Sequence, residues 1–173
     1  TSETLFLSDI SGTIIDQIIV EKLPPNTSVG ISKNSQAVVN FLETTPGSEN
    51  SSNEFLGVVE NEVVFSQEGG LLVSPISLSL SGNNSNEVIR YTRDGSTPLE
   101  TSPIYSNPIQ IQENTSVRAQ IFSQNYLPSP INTKSFIIGA NHDIDVVLLT
   151  TDSRHFLIKI PVFMFLDLRE LTI

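Results

Sequence analysis

Residues 74–82, SPISLSLSG, alternate without a break. Ile76, Leu78 and Leu80 fall on one side, and Ser77, Ser79 and Ser81 on the other. A period of two marks a strand with one buried face. The same texture recurs along the chain. VIRYTR sets Ile89 and Tyr91 against Arg90 and Thr92, and SVRAQIFS sets Val117, Ala119 and Ile121 on one face. No stretch sustains a 3.6-residue apolar period. Ser, Thr and Asn are frequent and favour strands and turns over helices. The chain is therefore confined to an all-β architecture.

Between about residues 60 and 139 six short strands are expected: in NEVVFSQEGG (ending in a Gly-Gly turn), SPISLSLSG, VIRYTR, IQIQ, SVRAQIFS and TKSFIIG. Gly, Pro and Asn break them at the spacing of a small antiparallel, immunoglobulin-like sandwich. Upstream, ETLFLSD, TIIDQIIVE and QAVVNFLET read as three strands, LPPNTSVG as an irregular connection, and TPGSENSSNE as polar linker sequence. Three strands with one buried face do not close a sandwich alone. The organisation expected is a partial sandwich over 1–55, a linker over 56–62, and a complete sandwich over 63–139.

The net charge of −10 opposes nucleic acid and anionic lipid, and no basic patch offsets it. The absence of cysteine excludes disulfides, thiolate metal sites and a cysteine nucleophile. The longest apolar run, IPVFMFL, is far short of the roughly 20 residues a membrane helix needs. Starting at Thr1 without a signal segment, the sequence reads as a processed chain or a fragment.

The segment YTRDGSTPLETSPIY (91–105) is the least ordinary in the chain. Asp94-Gly95 supplies the positive-φ position of a chain reversal, and Asp94 is placed to accept from the amides that follow. Pro98 has no N–H, so no ladder bond resumes there. The loop is expected to stay open until PIYSNPIQI re-enters the sheet, with Tyr91 and Tyr105 flanking the crossover. Asp94, Gly95 and Pro98 are thus read as structural turn residues.

VFSQEGGLLVSPISLSLS, IRYTRDGSTPLETSPIYSNPIQI, TSVRAQIFSQNYLPSPI and FII follow in an order and spacing that resemble the chitobiase/β-hexosaminidase C-terminal domain, also described as a fibronectin type III-associated module. The resemblance implies a non-catalytic sandwich appended to enzymes and surface proteins. SETLFLSDISGTIID, SVGIS and TTPGSEN resemble the second half of a lamin-tail domain, which implies an immunoglobulin-like sandwich whose first half lies before Thr1. HDIDVVLLTTDSRHF resembles the opening strand of a CotH kinase-like domain, assigned to 140–157. These three domain types often share one polypeptide, so their order supports the three assignments together.

The remaining tail, 158–173, is apolar without period. It is read as translated out of frame, because dropping two bases from ordinary codons allows Thr-Gly-Ile-Tyr-Val, which the CotH-like family places after this strand. A genuine apolar strand or edge helix is the alternative. Out of frame, it would be an aggregation liability.

No P-loop, EF-hand, GxSxG or HExxH pattern occurs. His142, Asp143 and Asp145 form the one trio with metal-ligand chemistry, and they read as solvated edge residues. No catalytic, cofactor or metal residue is assigned. The chain has no Trp and three Tyr, which limits aromatic platforms for sugar to few positions. Tyr126, in QNYLPS, is the best exposed candidate for a glycan contact. Sequons at Asn26, Asn50, Asn83 and Asn114 occur about as often as chance predicts.

The expectation is a non-enzymatic scaffold or spacer of a larger exported, bacterial surface protein, extracellular or at the cell surface. Its partners would be neighbouring domains of the same chain and, in the alternative, polysaccharide. Two alternatives stand: a carbohydrate-binding accessory of a glycoside hydrolase, and the N-terminal fragment of a CotH-like atypical kinase.

Overall fold

The computed structural model describes residues 3–21, 23–50 and 53–139. The expected CotH-like strand over 140–157, the tail over 158–173 and the His142 trio lie outside the described residues. The described residues are all-β, with no helix among them. The described residues divide into two compact units, those within 3–59 with 125–127, and 60–124 with 128–139.

In the first unit, β1 (Glu3–Ser8) and β2 (Ile14–Val20) form an antiparallel hairpin. Its turn is built by Asp9, whose Oδ1 accepts from the amides of Ser11 and Thr13 at 2.9 Å each and from the Ser11 hydroxyl at 2.7 Å. These donors hold the Asp9 carboxyl below the usual carboxylate range, the Ser11 hydroxyl contributing most. β3 (Ser28–Ile31), β4 (Val38–Phe41) and β5 (Glu54–Phe55) form a second sheet in the order β3-β4-β5. Val39 and Phe41 are its buried side chains. The buried Ser32 hydroxyl ties the β3–β4 connection, donating to Glu54 at 2.8 Å and accepting from the amides of Asn34 and Ser35.

Two short strands depart from the expectation here. β3 begins inside LPPNTSVG, expected to be irregular, because Pro24 and Asn26 end their turn before Ser28. β5 takes its place because Asn40 and Phe41 of β4 offer an open edge to Glu54 and Phe55.

The second unit is a two-layer sandwich. β6 (Val64–Phe65), β7 (Gly70–Leu72), β8 (Ile76–Leu78), β9 (Leu80–Ser81), β10 (Glu87–Thr92), β11 (Ile109–Ile111), β12 (Thr115–Ser123) and β13 (Asn132–Ile138) supply its strands. One layer has the order β10-β12-β13-β7. The other is built around SPISLSLSG, in which β8 pairs with β11 on one side and β9 with β6 on the other. The expected single strand is interrupted at Ser79, whose amide donates to the Ser66 hydroxyl at 2.9 Å.

The alternation sorts the faces as the sequence dictates. Leu78, Leu80, Ile109 and Ile111 of one layer are buried, as are Ile89, Val117, Ala119, Ile121 and Phe136 of the other. At roughly 1.5–3 kcal/mol for each large aliphatic or aromatic side chain, this shared core is the main stabilising term of the unit.

Among the paired strands of the described residues, one pairing is not antiparallel. β7 runs parallel to β13, matching Gly70, Leu71 and Leu72 to Phe136, Ile137 and Ile138. The Gly-Gly pair expected to end a strand instead leads into one. Gly69 lies so close to β13 that a β-carbon there would meet the Ser135 carbonyl oxygen at 2.6 Å.

Candidate functional site

Residues 91–105 leave β10 and return to it. At the reversal Gly95 takes a φ of 78°, which an L side chain adopts only at a cost. Asp94 Oδ1 accepts from the Ser96 amide at 3.0 Å and from the Ser96 hydroxyl at 2.6 Å. The Thr92 hydroxyl donates to the Ser96 carbonyl at 2.6 Å, closing the turn from the strand side. Pro98 is fully buried.

Beyond Pro98 the chain makes a second turn, in which Leu99 and Ser102 bond each other through the Ser102 amide and the Ser102 hydroxyl, both at 2.9 Å. It then lies along the edge of β10. The Tyr91 amide donates to the Pro103 carbonyl at 3.2 Å, and the Tyr105 amide to the Ile89 carbonyl at 2.8 Å. The chain, expected to re-enter the sheet from Pro103 onward, does so first along the vacant edge of β10. Only afterwards does it cross to the other layer and form β11. Tyr91 and Tyr105 meet edge to face, with ring centroids 6.5 Å apart.

Two half-buried arginines hold the loop from the sheet. Arg118 of β12 donates to the Gly95 carbonyl at 3.0 Å and lies 3.5 Å from the Thr97 hydroxyl oxygen. Arg90 of β10 donates to the Ser102 carbonyl at 2.6 Å. Their charge strengthens each bond over a neutral one. Sequence reasoning did not single them out, although alternation placed Arg90 on the face opposite the core. That placement was the available signal: a long cation on a sheet face beside a Gly-Pro-rich loop has carbonyls within reach.

Several of the loop's polar groups are thus used in holding its own shape. Asp94, Ser96, Ser102 and both arginines serve its conformation. Among the described residues no group of His, Asp and Glu is placed to hold a metal ion. No helix among them is long and apolar enough to cross a membrane.

Tyr126 lies elsewhere, in the β12–β13 connection, where the chain groups with the first unit. The preceding residue, Asn125, has a φ of 62°, which turns the connection sharply. Leu56, Gly57 and Val59 bond to Asn125 and Leu127 through backbone groups at 2.8–2.9 Å. Tyr126 is 40% exposed, and its ring packs over Gly57, where an added β-carbon would meet it at 3.3 Å. Gly57, which the sequence reading passed over, is the residue that makes room for this ring. Leu56, beside it, is also exposed. The structure does not bring Tyr126 together with Asp94, Gly95 and Pro98, which belong to the other unit.

Residues 67–133 match the family model of the chitobiase/beta-hexosaminidase C-terminal domain. That domain is a β-sandwich module found in glycoside hydrolases. The matched segment starts just before β7 and ends in β13, so it takes in the whole arginine-held loop. No curated protein and no solved structure matches the chain.

Proposed function

We propose that residues 63–139 act as a non-catalytic spacer that positions neighbouring domains in a larger exported surface protein of bacterial type. The observation that carries this reading is the loop over 91–105, the most distinctive part of the module, whose Asp94, Ser96 and Ser102 side chains and Gly95, Ser102 and Pro103 carbonyls are engaged by its own fold, by two arginines and by the edge of β10. In the same reading, residues 1–55 are the second half of a lamin-tail-like sandwich, and 140–157 open a CotH-like domain. The chain itself carries out no catalysis. Acidity supports export and solubility, and it argues against nucleic acid.

The test is retention of the full chain on chitin, cellulose and peptidoglycan. No retention is expected on any of them. Retention that disappears with Tyr126→Ala would replace the spacer reading with the second one, a carbohydrate-binding accessory of a glycoside hydrolase. The exposed Tyr126 ring, backed by Gly57 and flanked by Leu56, favours that alternative.

A further inference from the structure

The parallel pairing of β7 with β13 joins an early strand of the second unit to its last described one. Along the sequence, β7 is entered at Gly70 and β13 is left at Ile138. In a parallel pair those two points lie at opposite ends of the ladder. Tension applied along the chain would therefore pull β7 and β13 past each other. It would load their hydrogen bonds together, in shear, rather than opening them one by one.

The pair is reinforced where the load would enter and leave. At the entry end, Glu68 pairs with Lys134 of β13, and Gly69 packs against the Ser135 backbone. At the exit end, the Gly139 amide donates to the Leu72 carbonyl at 2.8 Å. Between them, Phe136 and Ile137 are buried, so sliding the strands also exposes apolar surface. The strand met before β7, the two-residue β6, pairs antiparallel with β9 over two residue pairs, against three between β7 and β13.

We propose that the second unit bears tension along the polypeptide, with the β7–β13 ladder as its clamp. The inference rests on the spacer reading and adds a mechanical task to it. Forced unfolding is governed by the barrier to unfolding, so it reports the loaded contacts directly.

The test pulls the full chain from two positions with its C-terminus anchored. The sequence has no cysteine, so a single introduced one defines the tether. Gln67→Cys loads the β7–β13 pair in shear. Val73→Cys, at a residue 97% exposed just past β7, loads the same pair by peeling. The expected result is an unfolding force for the second unit at least about twofold higher from position 67 than from position 73. Leu72→Pro, which removes the Leu72 N–H and places a ring in the last residue of β7, should abolish that difference. Val64→Pro in β6 should leave it in place. Equal forces from the two tethers, or a difference that survives Leu72→Pro, would overturn the proposal. Polysaccharide retention is a separate readout, so the spacer reading fails or stands without reference to these forces.

Discussion

The chain contains two antiparallel pairs of similar size and opposite fate. β1 and β2 pair over Glu3–Ser8, and β10 and β12 pair over Glu87–Thr92. Each has an aspartate-built turn after its first strand, with a side-chain oxygen accepting from the amide two residues on. Both carry isoleucine, four in β2 and one in each of β10 and β12. Yet Phe6, Ile15 and Ile19 are 59%, 64% and 61% exposed, while Ile89 and Ile121 are buried. The difference lies in what surrounds them. β12 has β10 and β13 on its two edges and a second layer against its inner face, whereas β1 and β2 pair only with each other. Local sequence makes an aspartate turn and alternating strands in both places, but β1 and β2 meet as a hairpin while β10 and β12 meet only after the chain has passed through β11. Only the sandwich turns its apolar side chains into stability, since a lone hairpin is marginal in water.

Matched truncations test this contrast most directly. Ile121→Ala should cost the second unit about 2–5 kcal/mol, read as a fall in its denaturant midpoint, because a fully buried side chain leaves a cavity. A loss near zero would mean that the two layers do not share a core. Gly95→Ala should cost about 1 kcal/mol or more by the same measurement, through its φ of 78°. If the variant melts like the parent, the loop reverses in some other conformation. Ile19→Ala in the exposed hairpin should change stability by less than about 0.5 kcal/mol. A larger loss would show that the hairpin is covered in solution and would break the comparison.

The smallest effect concerns Asp9. Its carboxyl is held below its ordinary value, so its contribution to the turn is present above the unfolded carboxylate value, near 4, and is lost as pH falls through the lowered folded value. A carbon-detected NMR titration of the side chain should show that lowered midpoint, with the Ser11 and Thr13 amides moving in step. Asp9→Asn should remove the transition. An ordinary midpoint would mean that the turn does not persist in the free hairpin.

The two regions also differ in how readable they were. Alternation fixed which residues of β8, β10 and β12 face inward, because a period of two leaves a one-residue shift no tolerable alternative when one face is buried. It also found the β1–β2 hairpin, but it could not say that most of its apolar side chains would stay exposed, with only Ile18 and Val20 half-buried, since exposure depends on partners rather than on pattern. The parallel partner of β7 was not legible. Gly70 and Phe136 are far apart in sequence, and a Gly-Gly pair reads locally as a turn. The return of the chain to the sheet at Pro103–Tyr105 was legible, but not that it takes the edge of β10, where a proline carbonyl can still accept a ladder bond although its nitrogen donates none. Tyr126 was singled out for its exposure, while Gly57, which makes room for it, carried no signal of its own.

That edge-hugging path has a consequence for how such a module lives among its own kind. A six-residue strand at the rim of a sheet presents a row of amides and carbonyls that an identical strand on a neighbouring molecule matches by definition. Such mutual recognition would fuse identical neighbours into ribbons. By laying Pro103–Tyr105 along β10, the chain presents this rim with a stretch of itself first, and identical neighbours meet a border already occupied.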